Sequence, residues 1–208
     1  MIYTPTISKE ELELLPQASF DGEIGVIDKK GEEYDKAIAY LSSQRFIGFD
    51  TETKPIFQTK VKRNSVALLQ LAGKDRAYIF RLHHLGLTED LCKILSSNRI
   101  IKVGVAVHDD IRGLQHHCKF VPKGFVDLQV VGINWGIKEK SVRKMAAIIL
   151  GVKVSKSQQL SNWETDELSH AQVLYAATDA WICQRMYLKL LSTPKPPKIE
   201  EDEQIKNG

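Results

Sequence analysis

Carboxylates gather at three places in this sequence, and their neighbours decide what each can do. Asp-x-Glu occurs twice, at Asp21-Gly22-Glu23 and Asp50-Thr51-Glu52. The first follows a polar loop. The second closes the apolar run FIGF at 46–49, a strand end of the kind at which an α/β sheet delivers functional groups. Side chains alternate along an extended chain, so Asp50 and Glu52 share one side. Two like charges so placed need a cation or splay into water; read alone, the triplet is also a solvated acidic strand end.

The second place is His108-Asp109-Asp110. On a helix starting near Val107, the residues Val107, Ile111 and Leu114 fall on one face. At 100° per residue Asp110 lies roughly 60° from Val107, at the edge of that face, and Asp109 roughly 160° away, toward solvent. Both also suit a first helical turn, where acids favour the dipole. The third place is Tyr175-Ala176-Ala177-Thr178-Asp179, the one Tyr-x-x-x-Asp of the chain. In a helix over 167–191 this pair shares the apolar face with Leu168, Ile182 and Met186. A carboxylate on a buried face must have a partner. No Lys or Arg lies one turn before or after Asp179, which leaves a metal or an arginine from elsewhere in the fold. Four carboxylates and a phenol together make an all-oxygen site, which favours Mg²⁺ or Mn²⁺ over Zn²⁺. Two such ions about 3.5–4 Å apart are the standard device for in-line attack of water on a phosphodiester.

These residues need a sheet edge and two helices to meet. Residues 23–28 (EIGVID) read as a strand, and 32–43 as a helix with Tyr34, Ala37, Ile38 and Leu41 at helical spacing. FIGFD at 46–50 is a short apolar run ending in an acid. VALLQL at 66–71 and AYIF at 77–80 read as strands around the turn Gly73-Lys74-Asp75. Thr88 suits an N-cap for a helix bearing Leu91, Ile94 and Leu95. Residues 100–105 read as a strand, and helices follow from about Val107, Ser141 and Glu167. The pattern predicts an α/β domain with a mixed central sheet flanked by helices. Residues 1–21 read as a lead-in without a packed element, 22–193 as the domain, and 194–208 (PKPPKIEEDEQIKNG) as a frayed charged tail.

Composition narrows the class. A length of 208 residues suits one domain. With 26% charged residues and no long apolar run, the chain is neither disordered nor membrane-spanning. The opening MIYTPTISKEELELL lacks the basic start and apolar stretch of a secretory signal. Cys92, Cys118 and Cys183 are far apart and form no CxxC, which predicts reduced thiols and a cytoplasmic protein. A net charge of +3 is too small to argue for nucleic acid by itself.

FIGFDTE, KVGVAVHDDIRGL and LSNWETDELSHAQVLYAATDA together resemble the DEDDy class of 3′–5′ exonucleases, in its ribonuclease D and Werner-syndrome exonuclease branch. The connectors VALLQLA, SVRKMAAIILG and KSQQLSNW match as well, so the resemblance covers roughly residues 22–192. It implies an RNase H-like fold with Asp50, Glu52, Asp110, Tyr175 and Asp179 as catalytic residues. Two divalent cations, Mg²⁺ or Mn²⁺, would be held by Asp50, Glu52, Asp110 and Asp179, with Asp50 bridging them and Tyr175 orienting the attacking water. The substrate would be the 3′ end of single-stranded or recessed DNA or RNA, and the product nucleoside 5′-monophosphates. Thr51 and Glu52 lie where the family's backbone holds the terminal ribose, and Thr53 stands where the Werner branch often has Trp. Neither a helicase nor a C-terminal helical nucleic-acid-binding module follows within these residues. Trp163 is read either as a substrate-stacking ring or as support for the helix of Tyr175. Lys60, Lys62, Arg63, Lys153 and Lys156 are candidates for phosphate contact or plain loop charges. His83-His84 and His116-His117 have no zinc-site spacing. The rival readings are a non-catalytic nucleic-acid-binding or scaffold member of the fold, and a phosphodiesterase for short oligonucleotides.

Overall fold

The computed structural model of the protein describes residues 3–56 and 64–196. Its elements run, in chain order, α1 (Lys9–Leu14), β1 (Glu23–Ile27), α2 (Glu32–Ser43), β2 (Phe46–Thr53), β3 (Val66–Ala72), β4 (Arg76–Arg81), α3 (Leu82–Leu85), α4 (Glu89–Leu95), β5 (Ile101–Gly104), α5 (Val107–Gln115), β6 (Phe125–Asp127), α6 (Leu128–Gly132), α7 (Val142–Leu150) and α8 (His170–Leu191). The six strands lie in the order β1-β4-β3-β2-β5-β6. Pairing is antiparallel between β4 and β3 and between β3 and β2, and parallel elsewhere. The expected mixed sheet flanked by helices is therefore present.

Strand alternation sorts the core into two halves. Ile47 and Phe49 of β2, Leu69 and Leu71 of β3, and Tyr78 and Phe80 of β4 face one side. There they meet Tyr34, Ala37 and Leu41 of α2, Leu91 and Leu95 of α4, and Val107 and Leu114 of α5. The even-numbered residues of β2 face α8, which crosses the other side of the sheet and is backed by α7. A Cβ built on Gly48 would stand 1.7 Å from the carbonyl oxygen of Ala180, so α8 rests directly on the β2 backbone. Ala176, Ala177 and Ala180 are buried along the contacting face. Only a glycine beneath a run of alanines lets helix and strand approach this closely, and that approach sets the height of Asp179 above Asp50.

Several boundaries shift from the sequence expectation. Helix α8 starts three residues later than 167, because Ser169 caps it in a reciprocal capping box with Gln172. Thr88 and Ser141 cap α4 and α7 through their side chains. Strand β6 and helix α6 have no counterpart in the sequence reading; three strand residues are too few to show a period. The described part of residues 1–21 is not a loose lead-in. Tyr3, Leu12 and Phe20 are buried, and α1 forms behind a capping box from Ser8 and Glu11. The segment is tied down by Gln17 bridging to Lys153 and by the Phe20 amide donating to Thr178 Oγ1 at 3.0 Å. Its polar sequence hid three apolar anchors spaced too widely for any one element. At the other end, Lys195 lies over the Trp135 ring at 5.3 Å; residues 197–208 fall outside the described residues.

Replacing Gly48 with Ala forces α8 off the sheet. Overpacking of this kind costs about 1–3 kcal/mol, so Gly48→Ala should melt measurably lower than the wild type while keeping its helix content by circular dichroism. Because the lifted helix carries Tyr175 and Asp179, any activity of the wild type should fall further than the melting temperature implies. A variant with unchanged stability would contradict the direct backbone contact.

Candidate active site

Asp50 and Glu52 emerge from β2 on the α8 side, as alternation requires. Asp179 comes down from α8, itself buried to 8% exposure. Asp50, Glu52 and Asp179 each offer a carboxylate oxygen, and these atoms lie within 4.8 Å of one another. Three hard oxygen donors at this spacing are the ligand set that Mg²⁺ and Mn²⁺ accept, so the residues present fit the cation that the resemblance implies.

Asp110 stands outside this tight group, on the first turn of α5, close enough for its charge to act on Asp50 and Glu52. Thr51 of β2 donates its hydroxyl to Asp110 Oδ1 at 2.6 Å. Thr51's hydroxyl is therefore committed to Asp110, while Thr53 is exposed at the strand end. Asp109 points outward and pairs with Arg112 at 2.9 Å, the solvent-facing placement expected from helical phase. The turn into α5 is held by Ala106, whose φ of 57° is left-handed. Its amide donates to Asp127 Oδ1 at 3.1 Å, and the same oxygen caps α6 through the Gln129 amide at 2.8 Å. Sequence reasoning missed Asp127; an acid directly before the apolar LQVV was its available signal.

Tyr175 lies one turn before Asp179, and both line a cavity of about 150 Å³ whose far wall is Gln17, Ala18, Ser19, Ser155 and Ser157. The ring of Trp163 packs against Tyr175 with centroids 5.9 Å apart. Trp163 is completely buried, which corrects its reading as a substrate-stacking ring: no face is open to a base. Its segment is pinned by Arg81, which donates to the carbonyls of Thr165 and Asp166, and by Gln172 Nε2 donating to the Asn162 carbonyl at 3.1 Å. Lys153 is also withdrawn from any phosphate role, because its ammonium is spent on the carbonyl and carboxylate of Glu13. Lys156 is exposed. Lys60, Lys62 and Arg63 fall outside the described residues. Trp135 is a core residue, its indole donating to the Thr193 carbonyl at 3.0 Å.

Burial and crowding push every carboxyl of the group upward. Asp50 is raised well above its ordinary range by burial, then by Asp179, Glu52 and Asp110. Glu52 is pushed up to about 9 by burial, with Asp179 and Asp110 adding to it. Asp179 is pushed up to about 7 by burial, opposed by the Tyr175 hydroxyl. Asp110 rises to about 6, again by burial, with Thr51 holding it down. The phenol of Tyr175 is raised by burial and by the neighbouring carboxylates, so it stays protonated and able to donate. No cationic side chain among the described residues offsets this crowding, and a divalent cation would relieve it.

A family profile described as 3′–5′ exonuclease matches residues 26–193. The chain belongs to the 3′–5′ exonuclease family. The Drosophila melanogaster "Exonuclease 3′-5′ domain-containing protein 2" is 31% identical over 165 residues, covering 77% of this chain. The Mus musculus "Bifunctional 3′-5′ exonuclease/ATP-dependent helicase WRN" is 32% identical over 157 residues, or 72% of this chain. The matched part is 28% of the length of the first relative and 11% of the second. Among solved structures, Trypanosoma brucei RNase D in complex with RNA U12 superposes with a TM-score of 0.73 at 20% identity, covering 93% of this chain and 68% of that one. The exonuclease fold and the RNase H-like sheet are thereby shared.

Protonation of these carboxyls has a consequence for stability. Each of the four takes up its proton more readily folded than unfolded, so the folded state binds more protons and the cation-free protein loses stability as pH rises. The loss should begin at about pH 4, where unfolded carboxyls release their protons, and continue through the raised values of Asp110, about 6, and Glu52, about 9. In chelator, the melting temperature should fall across that window, and Asp179→Asn should flatten the fall and melt higher than wild type. A melting temperature that rises with pH in chelator would mean the carboxyls are not crowded.

Proposed function

We propose that this chain is a 3′–5′ exonuclease that hydrolyses nucleic-acid phosphodiester bonds with two divalent cations, Mg²⁺ or Mn²⁺, and releases nucleoside 5′-monophosphates. The observation that carries it is the convergence of Asp50, Glu52 and Asp179 within 4.8 Å, with the Tyr175 phenol one helical turn away. In this reading Asp50, Glu52 and Asp179 hold the first ion, and Asp50 with Asp110 the second. Bound cations supply charge neutralisation and acidified water at the scissile phosphate. Tyr175 hydrogen-bonds the attacking water and aims it along the line of the breaking bond. Trp163 fixes the ring of Tyr175 from behind, and Thr51 fixes Asp110. The backbone at Thr51 and Glu52, with the exposed Thr53, is the proposed seat of the terminal nucleotide. The partner is the 3′ end of DNA or RNA; the solved relative bound to RNA supports nucleic acid as the class. No helix among the described residues is long and apolar enough to cross a membrane, and a cytoplasmic location remains part of the proposal.

The test is a digest of 3′- and 5′-labelled single strands, DNA and RNA, with Mg²⁺, Mn²⁺ or chelator. Mononucleotides should be released stepwise from the 3′ end, and chelator or Asp179→Ala should abolish release. Asp110→Asn should cripple activity while Asp109→Asn, altering a surface pair, leaves it nearly intact. Absence of cleavage by a protein that binds Mn²⁺ would favour the non-catalytic alternative.

Tyr175→Phe isolates the hydroxyl from the ring. It should retain fold, Mn²⁺ affinity and KM, and lower kcat into the lower part of the about 10²–10⁴-fold range of a positioned acid–base group. Wild-type single-turnover rates in that variant would confine Tyr175 to packing.

A further inference from the structure

Gln70 interrupts an otherwise apolar, completely buried strand, VALLQLA. It is only 1% exposed, and neither its amide nitrogen nor its amide oxygen has a hydrogen-bond partner among the described residues. An unpaired buried amide costs about 1–3 kcal/mol, and an apolar side chain of the same shape would avoid the cost entirely. Packing therefore gives no reason for glutamine here, and its position does. In the antiparallel register of β2 and β3, Gln70 lies directly opposite Asp50. Residues so paired project from the same face with Cβ atoms about 4.5–5.5 Å apart. Both point into the layer beneath α8. The flanking β3 residues on that face, Leu68 and Ala72, belong to the apolar clusters that contain Trp163, Ala176, Ala177 and Ala180. Asp50 is thus the polar group that the register sets beside this amide, and it is the carboxylate at the centre of the candidate site.

We propose that Gln70 is a positioning residue: when a cation is held, its amide, unpartnered in the present arrangement, turns to donate an N–H to the Asp50 carboxylate and fixes which oxygen Asp50 presents to the cation. A carboxylate has two oxygens and about four lone-pair sites. One donor from the sheet side leaves the outer lone pairs facing Glu52 and Asp179, and removes the rotamer in which Asp50 turns back under the helix. The same donor supplies the amide with the partner it otherwise lacks. Loss of an outer hydrogen bond of this kind typically weakens metal affinity or activity by about 10–100-fold.

The inference rests on the cation-site reading above, and Mn²⁺ titration calorimetry without nucleic acid separates the two. Wild type should bind Mn²⁺ and Asp50→Ala should not; a wild type that fails to bind overturns the cation site itself. Gln70→Met keeps length and volume but has no donor. It should melt at or above the wild-type temperature, because an unpaired amide has gone, while its Mn²⁺ affinity falls by about 10-fold or more. Equal Mn²⁺ affinity in Gln70→Met and wild type overturns the proposal. Should Gln70→Met fail to fold, a crystal structure of the wild type with Mn²⁺ decides instead: Gln70 Nε2 within about 3.2 Å of an Asp50 carboxylate oxygen supports the inference, and a longer separation overturns it.

Discussion

The mutual repulsion of three buried carboxylates governs this fold. At 4.8 Å and an effective dielectric of about 20, each ionised pair repels by about 3–4 kcal/mol. A domain of this size has only about 5–15 kcal/mol of net stability, so it cannot carry Asp50, Glu52 and Asp179 ionised together without a compensating charge. Protonation is one answer, and the raised pKa values of all three record it. Cation binding is the other. The first lets the three groups stay together uncharged; the second would turn their repulsion into affinity for a divalent ion.

The rest of the architecture keeps those groups from drifting apart. Strand β2 lies between β3 and β5 in the middle of the sheet; Asp50 is paired to Gln70 of β3, and Phe46–Gly48 just before it are paired to β5. Helix α8 is seated on Gly48, where backbone meets backbone and no side chain can yield. Arg81 and Gln172 clamp the segment that delivers Trp163 against Tyr175. Asp127 holds the left-handed turn at Ala106 from which α5 starts, and Thr51 donates to Asp110 as it arrives beside β2. Strand β2, α5 and α8 thus each bring a carboxylate to the site.

Much of this was legible in the sequence, because period and phase are local. Alternation placed Asp50 and Glu52 together, the helical phase of Val107, Ile111 and Leu114 separated Asp110 from Asp109, and the spacing of Tyr175 and Asp179 put both on one face of α8. What remained hidden depended on contacts between distant segments. Trp163 reads identically as a stacking platform or a buried wedge, and only the packing of α8 over β3 decides between them. Lys153 looked free for phosphate until Glu13 arrived from far along the chain. Gln70 drew no notice within VALLQL; its place opposite Asp50 appears only once the β2–β3 register is known.

The anchoring of residues 3–20 bears on how this domain can be handled as a module. The family match begins at residue 26, inside β1, and even a boundary drawn just ahead of that strand would remove Phe20, which is packed against Trp181 and bonded to Thr178. Thr178 sits between Tyr175 and Asp179 in sequence. Such a trimmed protein would bare apolar surface on α8 at the very turn that bears the phenol and the third carboxylate. Conversely, anything fused upstream pulls on that turn through a few hydrogen bonds and one aromatic contact. The opening segment thus acts as a splint on the last helix, and excising or loading it touches the chemistry before it touches the sheet.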